Sequence, residues 1–308
     1  MDITYEQRKI CERTWYDKYR DLFFTEEKPP SILERPLSLS FRVGRYCDLT
    51  CKVCLSDSGP HRAFKTLSFS HLLEALSELK PLRIVWTGGE PLLYDIVDDL
   101  KQSIALDNFN VVTTNLTTTN LPREIGQEIF WDVSLYGWDK QSYRAFTGKD
   151  VFRRVERNLH SLFNAGYSVG ISIRVDLEWT RYLPCMIEYI SQFPIRKLLL
   201  LNTLLVGRLM PGIHPISTEV CEKIEAFVKS SNLPFPTVLP YVPLQSNDAR
   251  EGYLLIEKRL GSKDIFLLNE VPYSCISELV QEILKNGRAN FRLFTLQQYC
   301  MPSEGHHS

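Results

Sequence analysis

Hydrophobic and polar positions alternate along this chain in short runs, and longer runs with helical spacing separate them. The first short run, "LSLSFRV" at 37–43, has an apolar residue at every second position, which predicts a half-buried β-strand. The same criterion predicts five more strands downstream. They lie at 82–86, 109–114, 131–136, 168–175 and 198–206.

The clearest of the helical stretches covers 151–165. Apolar residues recur there at helical spacing, and Gly166 follows where a C-terminal cap belongs. Strands that alternate with helices favour a parallel sheet with right-handed crossovers. Six such units predict an α/β fold, a partial (β/α)6 TIM-like barrel, in which loops at the carboxyl ends of the strands carry the chemistry.

The segments on either side of the predicted barrel have weaker patterns. We divide the chain into an N-terminal helical segment at 1–36, the partial barrel at 37–212 and a C-terminal α+β extension at 213–308 that caps the barrel. Within the extension, helices are expected near 218–229 and 275–285. A further helix is expected at 69–80, inside the barrel.

Composition adds limits on the partners and the compartment. The 308 residues are 44% hydrophobic, and 36 basic and 37 acidic residues leave a net charge of -1. No basic run stands out, so no nucleic-acid partner is expected. The N-terminus lacks the apolar core of a signal peptide, and no apolar run is long enough to span a bilayer. We therefore expect a cytoplasmic protein without a membrane partner, in which structural disulfides are uncommon.

The segment "CDLTCKVC" follows the first predicted strand and contains Cys47, Cys51 and Cys54, three of the eight cysteines. A structural zinc ion usually takes four protein ligands, and no second CxxC or Cys–His pair lies nearby. Zinc with a remote fourth ligand stays open as an alternative. A four-iron cluster usually has four cysteines, so three would leave one iron free to bind a ligand.

A second motif, "TGGEP" at 87–91, follows the next strand. Its glycines, Gly88 and Gly89, allow backbone to come close to a small molecule. Glu90 supplies a carboxylate suited to an ammonium group, and Pro91 stiffens the exit from the loop. An amino-acid-like ligand that chelates the free iron through its amine and carboxylate would satisfy both motifs.

These two motifs, in this order on consecutive βα units, closely resemble those of the radical S-adenosylmethionine (radical SAM) enzymes. The resemblance covers about residues 37–210. It implies that the three cysteines bind one [4Fe–4S] cluster and that S-adenosylmethionine chelates its unique iron. An electron from the cluster would then cleave the cofactor to a 5′-deoxyadenosyl radical, which abstracts hydrogen from a substrate. A reductant such as flavodoxin or ferredoxin is the implied electron donor.

The resemblance also assigns cofactor contacts to segments that follow or lie on the other strands. "TTNLT", "SLYG", "SIRV" and "LVGR" match family segments near the methionine, ribose and adenine groups. With the glycine-rich loop, the implied cofactor residues are Gly88, Gly89, Glu90, Asn115, Ser134, Ser172, Arg174 and Leu205.

Two positions depart from the family pattern. The residue before the third cysteine is often aromatic and packs near adenine, but here it is Val53. Many members have Asp where this chain has Tyr136, which makes Tyr136 a candidate substrate contact. Asn202 on the sixth strand is the second such candidate.

The expected substrate is a small molecule, such as a sugar, nucleoside or amino acid derivative in a biosynthetic pathway. The first alternative is a radical SAM enzyme that modifies a peptide (a RiPP-modifying enzyme). Such relatives often carry extra closely spaced cysteines, whereas only Cys221, Cys275 and Cys300 follow the barrel here. Cys275 and Cys300 are also candidate hydrogen donors in an epimerase. A non-catalytic adaptor that binds zinc or a cluster is the remote alternative.

Overall fold

The computed structural model of the chain describes residues 7–11, 14–25, 38–62, 77, 81–118, 121–203, 207–240, 254–259, 265–268, 271–273 and 299–300. Its strands are β1 Gln7–Cys11, β2 Thr14–Asp17, β3 Leu22–Thr25, β4 Ser38–Arg42, β5 Val53–Cys54, β6 Arg83–Thr87, β7 Phe109–Thr114, β8 Ile129–Leu135, β9 Ser168–Val175, β10 Lys197–Asn202, β11 Arg208–Leu209, β12 Thr237–Val238, β13 Leu254–Arg259, β14 Ile265–Leu268, β15 Val271–Tyr273 and β16 Tyr299–Cys300.

The α-helices of the described residues connect these strands. They are α1 Val97–Ala105, α2 Lys140–Thr147, α3 Phe152–Asn164, α4 Leu183–Ile190 and α5 Thr218–Ser230. Three 3₁₀ turns accompany them, at Pro91–Leu93, Arg123–Glu128 and Trp179–Tyr182. Within the part of the chain that the structure describes, no helix is both long and apolar enough to cross a bilayer.

The main sheet confirms the predicted α/β fold. Its strand order is β15-β14-β13-β4-β6-β7-β8-β9-β10-β12-β16, and the six central strands from β4 to β10 are parallel neighbours in chain order. The sheet ends in edge strands, so the described strands form an open, partial barrel. All six predicted strands are present, although the sixth ends at Asn202, earlier than its apolar pattern suggested.

Alternation along the central strands separates a packed face from a polar face. Val133 pairs with Ile171 on the packed face, and both are 0% exposed. The next pair in the register, Ser134 with Ser172, lies on the opposite face because successive side chains of a strand alternate. Helix α3 covers the packed face, and Gly166 after it adopts a φ of 73°, as expected of a C-terminal cap.

The N-terminal segment corrects the predicted helix. In its described part, strands β1, β2 and β3 form an antiparallel three-stranded sheet. The Asp17 carboxylate accepts hydrogen bonds from the backbone of Tyr19 at 2.9 Å and Arg20 at 3.1 Å, which closes the turn between β2 and β3. Aromatic and β-branched residues flank this turn in "TWYD" and "LFFT", and such residues favour strands over helices.

A buried ionic cluster links this N-terminal sheet to the barrel. The Asp21 carboxylate accepts hydrogen bonds from the Lys197 ammonium at 2.5 Å and the Tyr16 hydroxyl at 2.7 Å, and it also pairs with the Arg83 guanidinium. Burial raises the pKa of Asp21, but the two cations more than compensate, so that its pKa lies below its ordinary value. The Asp21 carboxylate therefore stabilises both cations at the amino end of the sheet.

C-terminal strands extend both edges of the barrel sheet. β13 pairs in parallel with β4, and β12 pairs in parallel with β10. Helix α5 confirms the helix expected near 218–229. The helix predicted at 275–285 and nearly all of the one at 69–80 lie outside the described residues. The proposed boundaries at 36/37 and 212/213 stay predictions.

Candidate functional site

The three clustered cysteines lie on a loop at the carboxyl end of β4, which we call the cysteine loop (residues 44–62). The loop is closed by its own backbone, because Cys47 N–H donates to Gly59 O at 3.4 Å and Gly59 N–H donates to Arg45 O at 3.3 Å. The Tyr46 backbone N–H donates to the Tyr94 hydroxyl at 2.9 Å. The sequence therefore places the cysteines correctly at a strand end, within a loop tied to the next βα connection.

The glycine-rich loop after β6 packs directly on the cysteine loop. Gly89 N–H donates to Gly44 O at 2.7 Å, and Glu90 N–H donates to Tyr46 O at 2.9 Å. A Cβ on Gly89 would lie 1.9 Å from Tyr46 O, so no other residue fits without moving the backbone. Gly89 therefore allows the glycine-rich loop and the cysteine loop to pack closely. The expected approach to a ligand stays a prediction.

Glu90 lies at the centre of the loops, with 0% exposure. Its carboxylate accepts hydrogen bonds from Asn115 N–H at 2.6 Å, the Thr114 hydroxyl at 2.7 Å and Leu92 N–H at 3.1 Å. Burial raises its pKa to about 7, although these donors oppose the shift. The side chain therefore cross-links the β6 and β7 loops. Its predicted contact with a ligand ammonium group remains untested.

Asn115 lies next to a cysteine, and its expected contact with the cofactor stays a prediction. Its amide Nδ2 donates to the Cys47 sulfur at 3.4 Å and to the Asp48 carboxylate at 3.3 Å. Thr117 donates to the same carboxylate at 3.0 Å and to the Asn115 amide oxygen at 2.7 Å. This network fixes the first cysteine against the end of β7.

The three thiols differ in their surroundings. Cys47 and Cys51 are each 7% exposed, and burial raises both pKa values, that of Cys51 to about 12. Cys54 is half-buried, and its burial is outweighed by hydrogen bonds from Ser56 and Ser58 and by a nearby cation, which together lower its pKa. Burial is the largest cause of the raised pKa values of Cys47 and Cys51. The Cys54 thiol further raises the pKa of Cys51, and Cys51 further raises that of Cys47, so the three thiols lie close enough to interact electrostatically with one another.

The three cysteine sulfurs are chemically suited to bind an iron–sulfur cluster. Three sulfurs share one loop, and two of them already accept backbone hydrogen bonds, from Leu49 N–H at 3.4 Å and Ser58 N–H at 3.3 Å. Hydrogen bonds of this kind are typical of sulfur ligands in iron–sulfur sites. Among the described residues, no group of three or more Cys, His, Asp or Glu side chains stands at metal-binding separation. The three sulfurs would therefore have to turn towards one another to hold a single ion, whereas a four-iron cluster bonds each cysteine to a different iron.

Polar side chains on β8 and β9 line the inner face beside the cysteines. Burial raises the pKa of Tyr136 well above its ordinary value, and the Cys51 thiol is the next largest contributor. Arg174 is half-buried and donates to Asn202 O at 3.4 Å. The Ser172 hydroxyl donates to the Asp132 carboxylate, so its hydrogen is already used within the protein. Of the predicted residues on this inner face, Tyr136 and Arg174 lie near the thiols.

Of two other predicted residues, the structure describes Asn202 but not Leu205. The Asn202 amide accepts from Ile216 N–H at 3.0 Å and donates to Ile216 O at 3.3 Å. Its neighbour Leu201 pairs with Arg174, so Asn202 lies on the opposite face of β10 from the polar lumen. The structure thus gives Asn202 a partner within the chain. Leu205 lies outside the described residues.

Sequence reasoning missed the residues that hold the cysteine loop from outside. Thr50 N–H donates to Thr147 O at 3.2 Å and Lys52 N–H donates to Phe146 O at 2.9 Å, which ties the loop to the end of α2. Arg208 on β11 donates to Cys51 O at 3.0 Å. The available signal for Arg208 was its place at the end of the segment "LVGR", which lies at the end of the predicted sixth strand.

Comparison with known proteins agrees with this geometry. Residues 41–177 match the model of the radical SAM superfamily. The chain is 25% identical over 175 residues to a GTP 3′,8-cyclase of Pectobacterium atrosepticum, covering 47% of this chain and 51% of that protein. It is 30% identical over 135 residues to a GTP 3′,8-cyclase of Haemophilus influenzae, covering 40% of each. The chain thus spans about half the length of these curated relatives, or less.

Among solved structures, Streptococcus suis SuiB bound to S-adenosylmethionine superimposes with a TM-score of 0.62 at 16% identity, over 83% of this chain and 66% of that one. SuiB bound to its precursor peptide SuiA superimposes with a TM-score of 0.56 at 17% identity, over 66% of this chain and 48% of that one. At this identity the likeness supports the shared fold.

Proposed function

We propose that this chain, which is a member of the radical SAM superfamily of enzymes, acts on a small-molecule substrate. Members of the superfamily bind a [4Fe–4S] cluster and S-adenosylmethionine. The observation that carries the proposal is the cysteine loop at the carboxyl end of β4, hydrogen-bonded to the glycine-rich loop of β6. Active sites of barrel folds lie at this end of the strands.

Cys47, Cys51 and Cys54 would hold the cluster, and the loop of Gly88, Gly89 and Glu90 would form one wall of the cofactor site. When bound, the two cofactors supply one-electron cleavage of S-adenosylmethionine and, with it, hydrogen abstraction from a substrate. The protein has to bind and orient the reacting groups and exclude water.

The polar face of β8 and β9 supplies groups for that orientation. Arg174 carries a positive charge into the lumen near Cys51 and Cys54, where it would attract a carboxylate or another anion. Ser134 and Tyr136 lie two residues apart on the same face, and the Tyr136 hydroxyl lies beside the Cys51 thiol. Tyr136 would therefore contact whatever binds between the cluster and the barrel lumen.

The substrate class follows from two kinds of support. The two curated relatives compared above are named for a reaction of GTP, which favours a nucleoside or another small metabolite. Apart from the clustered three, the cysteines are spread widely along the sequence, unlike the close spacings of auxiliary cluster sites. Peptide modification stays the second candidate, because the fold is also that of SuiB, which was solved with a precursor peptide.

The test is anaerobic reconstitution of the wild-type protein and of three single variants, Cys47→Ala, Cys51→Ala and Cys54→Ala. We expect the wild type to hold about four irons and to form 5′-deoxyadenosine on reduction with S-adenosylmethionine. Each variant should lose both properties. Cys185→Ala, which removes an exposed thiol outside the loop, is the matched control and should behave as wild type. Full iron and full cofactor cleavage in any loop variant would contradict the proposal.

A second measurement separates the substrate classes. The reconstituted enzyme is incubated with S-adenosylmethionine and a reductant, either with pools of nucleotides, sugars and amino acids or with short peptides. The correct class should raise the rate of 5′-deoxyadenosine formation and yield a product of changed mass. Stimulation by peptides alone would favour the second candidate.

A further inference from the structure

The Arg208 guanidinium holds the cysteine loop from a segment outside it. Arg208 donates from Nε to Cys51 O at 3.0 Å and from Nη2 to Ser58 O at 2.7 Å, and its Nη1 lies 3.4 Å from the Asp57 carboxylate. These acceptors lie on both sides of Cys54 in the sequence. The fork therefore spans the turn that presents the third cysteine.

The backbone on both sides of Arg208 packs against the cysteine loop. β11 pairs antiparallel with β5, with Arg208 opposite Cys54. Gly207 before it has a φ of 72°, and a Cβ there would lie 2.2 Å from Cys54 O. After β11, Met210 N–H donates to Lys52 O at 3.0 Å. This segment lies more than 150 residues after the cysteines in the sequence. It nevertheless contacts their loop at Gly207, Arg208 and Met210.

The contacts of Arg208 use the particular shape of its side chain. The guanidinium is a planar fork with five donors, whereas a lysine ammonium is a point charge on a flexible stem. The Arg208 side chain is 19% exposed, so its charge is only partly screened by water. Its charge lies against the backbone carbonyls of Cys51 and Ser58, on either side of Cys54.

We propose that Arg208 is a positioning residue for the iron–sulfur cluster: its fork locks the cysteine loop in the cluster-binding shape, and its charge raises the reduction potential of the cluster. This inference rests on the proposed function. Reduction adds one negative charge to the cluster, and a fixed cation nearby stabilises the reduced form more than the oxidised form. Charge and hydrogen bonds around the sulfurs are the protein's main means of setting such potentials.

The experiment compares two variants of Arg208 with a matched control. Arg208→Lys keeps the charge but removes the fork, and Arg208→Met removes both while keeping most of the side-chain length. Arg153→Met is the control, because Arg153 also pairs with a carboxylate, that of Glu156 at 2.8 Å, but lies on α3 outside the cysteine loop. Each reconstituted protein is measured for its rate of cluster loss to an iron chelator and for its midpoint potential by EPR-monitored titration.

We expect cluster loss to be faster in both Arg208 variants by about tenfold or more, since charge-assisted hydrogen bonds to the loop are lost. The midpoint potential should fall in Arg208→Met by about 59 mV, which corresponds to a tenfold change in a one-electron equilibrium. Arg208→Lys should keep a potential near that of wild type. The Arg153 control should match wild type in both measurements.

Opposite outcomes would overturn each half of the proposal. A wild-type rate of cluster loss in Arg208→Lys refutes the locking role, and this variant decides that role even if Arg208→Met fails to fold. A potential in Arg208→Lys that is as low as in Arg208→Met, or is well below wild type when Arg208→Met cannot be measured, refutes the role of the charge. Failure of the wild-type chain to take up a cluster would instead refute the proposed function itself.

Discussion

Replacement of Glu90 by Gln should remove a pH dependence of stability that this buried carboxyl imposes. The carboxyl has an ordinary pKa of 4.5 and a folded-state pKa of about 7, raised by burial. In the pH range between these values, the folded protein keeps a proton that the unfolded chain releases. The contribution to stability is therefore fully present below pH 4.5 and is lost as the pH rises through about 7.

The size of the effect follows from the two pKa values. At about 1.4 kcal/mol for each pH unit, a rise from 4.5 to about 7 corresponds to about 3 kcal/mol. The glutamine side chain of the variant cannot titrate, and its amide nitrogen would face one of the donors that now reach Glu90, at a constant cost of about 1–3 kcal/mol. The advantage of wild type over the variant should thus shrink with rising pH.

The assay is thermal and denaturant unfolding of the apoprotein between pH 5 and pH 8, for wild type, Glu90→Gln and Glu188→Gln. Most of the change of about 3 kcal/mol should appear as a difference in melting temperature that narrows by roughly 4–5 °C, because 308 residues at about 2.1 cal/mol/K each give a large unfolding entropy. Glu188 is exposed, so its variant should follow wild type at every pH. A constant difference between wild type and Glu90→Gln across this range would refute the reasoning, as would a difference that widens with pH.

Three more perturbations test other parts of the structure. Asp21→Asn should destabilise the protein by about 3–5 kcal/mol in denaturant unfolding, because Arg83 and Lys197 lose their buried counter-charge; a loss under about 1 kcal/mol would contradict this. Gly89→Ala should abolish iron uptake while circular dichroism stays unchanged, since its Cβ would lie 1.9 Å from Tyr46 O. Replacement of all three loop cysteines by Ala should leave essentially no iron, and retention of about four irons would reveal a second cluster and favour peptide modification.

The barrel strands were predictable because the hydrophobic pattern that identifies each strand lies within its own segment. "SVGISIRV" and "FNVVTT" alternate or run apolar within a single segment, and both strands begin and end where the pattern does. Lys197–Asn202 ends earlier because its apolar pattern continues beyond the residues that can pair with β9. Pairing, unlike hydropathy, depends on the neighbouring strand.

The N-terminal strands were not predictable from spacing alone. Their alternation is short, and the charged residues of "DKYRD" between them resemble the exposed face of a helix. The structure uses these residues differently, since Asp17 closes the turn and Asp21 turns inward to Lys197. A buried carboxylate of this kind is favourable only because its cation arrives from a strand 176 residues away, which no local pattern contains.

In the candidate site, too, local features were predictable from the sequence and long-range contacts were not. The spacing of Cys47, Cys51 and Cys54 is local, so the sequence indicates which chemistry the loop can perform. The shape of that loop depends on three distant elements that contact it: the glycine-rich loop of β6, the end of α2 and the Arg208 side chain. Each contact uses backbone carbonyls or amides of the loop, which are present whatever the side chains are. A motif search therefore finds the ligands but misses the groups that orient them, and substitutions in those groups should alter cluster retention while every cysteine remains in place.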